Sequence, residues 1–174
     1  MRSLRAVLVM VSSAAFAVGG ALAGEGPNLV GTFKDWHVYA AGKGKNRTCY
    51  ALTVPTEMNP ANVNRDEVFF LISNWPANKT VQQPSIVPGY QYGPNSKAQV
   101  QVGSDKFAFF TKNEGGQGGA WMEAVADEKK LVAAMKRGSS MIVTGTSAKG
   151  TLTSDDYSLA GFSAALEKLG TGCK

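Results

Sequence analysis

The 174-residue chain holds one histidine, His37, and two cysteines, Cys49 and Cys173. So few nitrogen and sulfur ligands leave a zinc site unsupported. No G-x-S-x-G elbow or S-x-x-K pair occurs, so neither common serine-hydrolase signature is present. Gly44-Lys45 is followed by Asn46, and Tyr39 stands where a phosphate loop needs its first glycine. Asp155-Asp156 lacks the spaced oxygens of a calcium loop and reads as a turn. His37 reads as a surface histidine, and Asp66-Glu67 and Asp127-Glu128 as solvated charges and a helix start. No cofactor or metal is expected, and the chain is not read as an enzyme.

What is present begins with an export signal. Arg2 and Arg5 precede the charge-free run AVLVMVSSAAFAV (6–18), and Ala21-Leu22-Ala23 supplies small residues at the positions a signal peptidase reads. Cleavage is expected after Ala23. The run is too short to span a hydrocarbon core, which needs about 20 apolar residues. The rest, 24–174, has the length of one domain. Its charge is about +3, too mild for a nucleic-acid binder. No integral span is expected after cleavage, and the location is periplasmic or secreted and outer-envelope associated. In an oxidising compartment the cysteine pair is most simply a disulfide, Cys49–Cys173, closing a 124-residue loop.

Alternating apolar and polar residues predict a first strand in FKDWHVYA (33–40), after a soft lead-in at 24–31, and a second in TCYALTV (48–54). EMNPANVNRD (57–66) reads as a loop. VFFLISN (68–74), apolar throughout, suits a central strand covered on both faces. The proline-rich stretch that follows has room for one short strand at 85–87. AQVQVGSDKFAFFT (98–111) predicts a hairpin turning at Gly103-Ser104-Asp105. Four glycines at 115–119 suggest flexible chain. Asp127 is expected to cap a helix ending at Gly138, two or three strands follow in 141–159, and Phe162, Leu166 and Leu169 share the face of a last helix. Many short strands with two helices point to a mainly β protein, a β-sandwich with helical additions.

The ending YSLAGFSAALEKL (157–169), together with FKDWHVY, CYAL, SIVPGY, KFAFFTK, GAWMEA and LVAAMKRGSSMIVTGTSAKGT in that order, resembles the invasion-associated locus B family of alphaproteobacteria. The resemblance covers nearly the whole chain after the signal. It implies an exported, envelope-associated immunoglobulin-like β-sandwich with no known enzymatic role. Many members carry a cysteine shortly after the opening tryptophan and a further pair downstream. Here Tyr39 and the glycine-rich segment near Trp121 occupy those regions. The Cys49–Cys173 pairing therefore rests on count and compartment alone.

Function is expected to lie in surface contacts with an unidentified protein or envelope component. Gly42, Gly44 and Asn46 have the composition of a hairpin tip needing positive φ angles, which would display Lys43, Lys45 and Arg47 as solvated charges. Trp75, Tyr90 and Tyr92 are the aromatic candidates, with ordinary loop packing the alternative for the tyrosines. A second expectation is a periplasmic small-molecule binding module with Gly115–Gly119 as a lid over an apolar cleft.

Overall fold

The computed structural model describes residues 26–172. The expected signal, 1–23, and Cys173 lie outside the described residues. FKDWHVYA forms two strands rather than one. β1 (Asn28–Phe33) and β2 (Trp36–Ala41) are antiparallel, with Phe33 opposite Trp36, and Lys34 turns the chain at φ 52°. The supposed lead-in thus supplies half of a hairpin. β3 (Thr48–Thr53) follows as expected, and the expected loop contains a three-residue strand, β4 (Glu57–Asn59). β5 (Phe69–Trp75) pairs with β3 on one side and β6 (Thr80–Val87) on the other.

β6 is longer than the proline at position 84 suggested. Its pairing with β9 (Gln117–Trp121) uses only Ser85 and Ile86. The rest of β6 is therefore an edge on that side, where a residue lacking N–H is tolerated. The hairpin of β7 (Lys97–Val102) and β8 (Asp105–Glu114) turns through Gly103-Ser104, with Ala98, Val100, Val102 and Phe109 buried. The glycine-rich stretch is ordered too. Gly115 and Gly116, both at positive φ, make a two-residue turn from β8 into β9. Gly118 and Gly119 serve close approach. A Cβ on Gly118 would stand 2.3 Å from Tyr90 O, and one on Gly119 2.3 Å from the Trp121 ring.

α1 (Val125–Arg137) starts before Asp127, at an Ala124 cap that makes no side-chain bond, so Asp127 sits in the first turn and pairs with Lys130. Glu128 sits in the first turn as expected, but it is buried and hydrogen-bonds Gln83. Burial raises its pKa, and the Gln83 bond only partly offsets this. The folded protein then holds this proton more tightly than the unfolded chain, so stability falls as pH rises from the unfolded to the folded pKa. Glu128→Gln is expected to melt higher than the native protein at pH 7. Thermal scans should show the gap closing as the pH drops through the carboxyl range.

β10 (Ser140–Thr146), β11 (Leu152–Ser158) and α2 (Phe162–Gly172) complete the chain. Among the described residues, eleven strands form one antiparallel sheet ordered β1-β2-β3-β5-β6-β9-β8-β7-β10-β11-β4. The sheet folds over on itself as a β-sandwich, bringing Phe70 of β5 to Tyr157 of β11 at 6.2 Å. Trp36 closes the fold. Its indole N–H donates to Ser158 O at 3.1 Å, and its ring meets Phe162 of α2 at 4.8 Å and Phe70 at 6.4 Å. Phe162, Ala165, Leu166 and Leu169 turn into the same core, as the spacing of the last helix requires.

Candidate functional site

Three surfaces of this body could do chemistry or make contacts. The first is the 42–47 tip. Gly42 and Gly44 have positive φ as expected, but Asn46 does not. Gly44–Asn46 form a 3-10 turn. Lys43 precedes that turn and Lys45 lies in it. Arg47 is not a solvated tip charge, because it folds back and donates to Gly172 O at 2.8 Å, tying the tip to the end of α2. Trp75 is 43% exposed, and a second 3-10 turn, Pro76–Asn78, follows it. Trp75 and Arg47 line one shallow hollow of about 200 Å³. Two sequence candidates from separate loops are thus brought together.

The tyrosines are elsewhere. Tyr92 is 2% exposed and cannot be a surface contact. Its ring packs against Tyr90 at 5.3 Å, and its backbone N–H and carbonyl are held by the Asn113 amide. Half-buried Tyr90 bonds Thr153 Oγ1 at 2.7 Å and carries the Arg65 guanidinium 5.1 Å above its ring. Arg65 forms a bidentate pair with Asp155 at 2.6 and 2.7 Å, and its Nε and Nη2 donate to Pro88 O. Both charged side chains are only 4% exposed. Asp155 is therefore not in a turn but on the inner face of β11, between the buried Thr153 and Tyr157. Burial pushes the phenols of Tyr90, Tyr92 and Tyr157 upward, with the Thr153 bond and the Arg65 charge pulling Tyr90 partly back.

This cluster separates two hollows. One, about 740 Å³, is lined by Arg65, Phe69, Val87 and Tyr90 together with the Gly116-Gln117-Gly118 rim. The other, about 420 Å³, lies between Arg65, Tyr90 and the Ser147–Thr151 loop. The glycine-rich segment is a hairpin edge beside a polar hollow, not a lid over an apolar cleft. Sequence reasoning missed Arg65 and Asp155. The only hint was that Thr153, Asp155 and Tyr157 share one parity in a strand pattern.

The third surface is the outer face of half the sheet. Cross-strand partners share a face, and the register gives one row across seven strands: His37, Leu52, Leu71, Ser85, Trp121, Phe110, Lys97. Beside this row, Tyr39 stacks on Tyr50 at 5.5 Å and Phe69 opposes Val87. Trp121 lies over Gly119 and meets Phe110 at 6.0 Å. The outer face of β7, β10, β11 and β4 is mostly polar by contrast, with Gln99, Thr144, Ser154 and Asn59 forming one row and Ile142 and Leu152 as apolar exceptions beside it.

Among the described residues, no group of three or more His, Cys, Asp or Glu side chains is placed to hold a metal. No described helix is long and apolar enough to cross a membrane. No curated protein matches the chain. A solved structure, the crystal structure of invasion associated protein B from Bartonella henselae, matches with a TM-score of 0.53 at 18% identity, over 83% of this chain and 97% of that one. At that identity the likeness speaks for the fold. The family model for invasion associated locus B (IalB) protein matches residues 36–170, from the tryptophan that closes the sandwich to the last turns of α2. The chain belongs to the IalB family.

Proposed function

We propose that this IalB-family protein is an exported component of the cell envelope that works by binding, not by turnover. Its contact is centred on the tip formed by Lys43, Lys45 and Trp75. The observation that carries this reading is Trp75, a large aromatic left 43% exposed at the end of β5. Exposed aromatics beside cations are typical anchors of protein contacts. The Arg47–Gly172 bond supports the same reading, because it pre-orders the tip and lowers the entropy lost on binding. The interior is filled by Trp36, Tyr92, Tyr157, Phe70, Phe109 and Phe162, which suits a scaffold presenting its surface.

Co-sedimentation with purified inner-membrane, outer-membrane and sacculus fractions tests it. Trp75→Ala and the pair Lys43→Ala/Lys45→Ala should each reduce the bound fraction about tenfold, the loss expected of a contact anchor. Binding of both variants at the native level would overturn the reading.

The 740 Å³ hollow favours a second reading, a small-molecule binding module, since its size is that of ligand sites and Arg65 and Tyr90 converge on it. A periplasmic metabolite that raises Tm in the native protein but not in Gln117→Trp would select it.

A further inference from the structure

The outer face of β3, β5, β6, β9 and β8 is out of keeping with a sheet facing water. Antiparallel sheets with one solvated side alternate apolar-in with polar-out, and the β7-β10-β11-β4 half does so apart from Ile142 and Leu152. In the other half the outward positions include Tyr50 and Leu52 on β3, Phe69 and Leu71 on β5, Val87 on β6, Trp121 on β9 and Phe110 on β8, with Ser85 between Leu71 and Trp121. Their inward neighbours Ala51, Phe70, Ile72, Ile86, Ala120 and Phe109 already fill the core. β5 is thus apolar at both parities, and its outward side chains Phe69 and Leu71 are half-buried by their sheet neighbours alone. The apolar sides of both helices pack inward, with Phe162 against Trp36 and Leu131 and Met135 in the core, and α1 reaches the free edge of β6 through the Glu128–Gln83 bond.

We propose that this face docks a second copy of the chain, sheet against sheet, in a two-fold dimer. The extent of the face supports it. Taken with the flanking β2 and β7, whose outward His37 and Lys97 form the rim, seven strands about 4.8 Å apart span about 29 Å, and three outward positions on one strand span about 14 Å. With side-chain width added, each copy offers about 500–600 Å². Two such faces bury about 1,000–1,200 Å², which reaches the size of a specific, stable interface.

The distribution of charge selects the same occupant. From Leu52 to Phe110 the row carries no charge, and Lys97 stands only at its end. Lys112, the next outward position on β8, is paired with Glu114. An uncharged centre with charge at the rim is the composition of a homodimer interface. An anionic bilayer would call for a belt of cations around the apolar patch. A two-fold dimer needs only one self-complementary patch, and two twisted aromatic-aliphatic sheets pack about 10 Å apart with strands within about 30° of each other. The dimer does not depend on the tip-centred reading above, because the tip and this face carry different residues.

Sedimentation equilibrium of the exported protein, from micromolar to about 100 μM, tests it. The native protein is expected to run as a dimer. Leu71→Lys, and separately the more exposed Phe110→Lys, should weaken self-association about tenfold or more, as loss of a central contact does. Ser154→Lys, on β11 in the polar half, should leave the dimer intact. Circular dichroism identifies any variant that fails to fold, and two target sites keep the test alive if one does. A native monomer at every concentration would overturn the proposal, as would a dimer indifferent to both lysine variants. So would a monomer that sediments with anionic vesicles or with glycan through Leu71, since that assigns the face to another occupant.

Discussion

Asp155→Ala is expected to cost about 3–5 kcal/mol of folding stability, the range measured when one partner of a buried ion pair is removed. The carboxylate neutralises a guanidinium that is 4% exposed and whose other bonds go to one carbonyl, Pro88 O. Without it, Arg65 would be left as an unpaired charge among Tyr90, Tyr92 and Tyr157, in a site already dry enough to raise all three phenols. For a protein of this size each kcal/mol moves Tm by about 2–4 °C, so a loss on the order of 10 °C is expected by calorimetry. The matched variant Arg65→Met/Asp155→Leu removes both charges and should lie close to the native Tm, because desolvation consumes most of what the pair gains. Should Asp155→Ala melt within about 2 °C of the native protein, water must reach the pair, and the cluster would not be the tie between the 65–69 segment, the 88–92 connection and β11 that the distances describe.

That tie also marks where the sequence stopped being legible. Strands whose faces alternate locally, such as Val100 and Val102 against Phe107 and Phe109, were readable because period two is written in consecutive residues. The last helix was readable for the same reason, from Phe162, Leu166 and Leu169. β4 was not, since three exposed residues become a strand only by pairing with Ser154, Asp155 and Asp156, about a hundred positions away. Asp155 looked like a turn residue because its partner, Arg65, stands 90 positions earlier. The glycines at 118 and 119 suggested mobility, whereas what they provide is room for Tyr90 O and the Trp121 ring. Composition singled out Trp75 and Arg47, but that they line one hollow depends on how the end of β5 packs beside the 42–47 tip. Tyr92 failed as a surface residue because its phenol is enclosed by the Arg65 cluster, which no local pattern announces. The apolar outer row was half visible. VFFLISN announced two covered faces, and among the described residues Phe70 and Ile72 are buried while Phe69 and Leu71 are only partly covered.

Breaking the proposed Cys49–Cys173 bond is expected to cost 2–5 kcal/mol, the range for native disulfides in exported domains, with about 4–5 kcal/mol as the chain-entropy value for a 124-residue loop. Cys173 lies outside the described residues, but the surroundings of Cys49 point toward it. Cys49 is 1% exposed on β3, opposite Asn74 of β5. The Asn74 amide donates to Leu169 O in α2, and Arg47, two residues before Cys49, donates to Gly172 O. Two bonds from the immediate neighbourhood of Cys49 therefore reach the last turn of α2, and Gly172 is the residue before Cys173. A covalent link there would fasten the C-terminal helix to β3 and, through Phe162, hold the cover over Trp36. Cys49→Ser/Cys173→Ser should lower Tm by about 4–20 °C at 2–4 °C per kcal/mol. Hydrogen exchange should locate the early loss of protection in α2, while the β7–β8 hairpin stays protected. Two titratable thiols in the native exported protein would overturn the pairing. An unchanged Tm would mean that the contacts of α2 hold it in place without the bond.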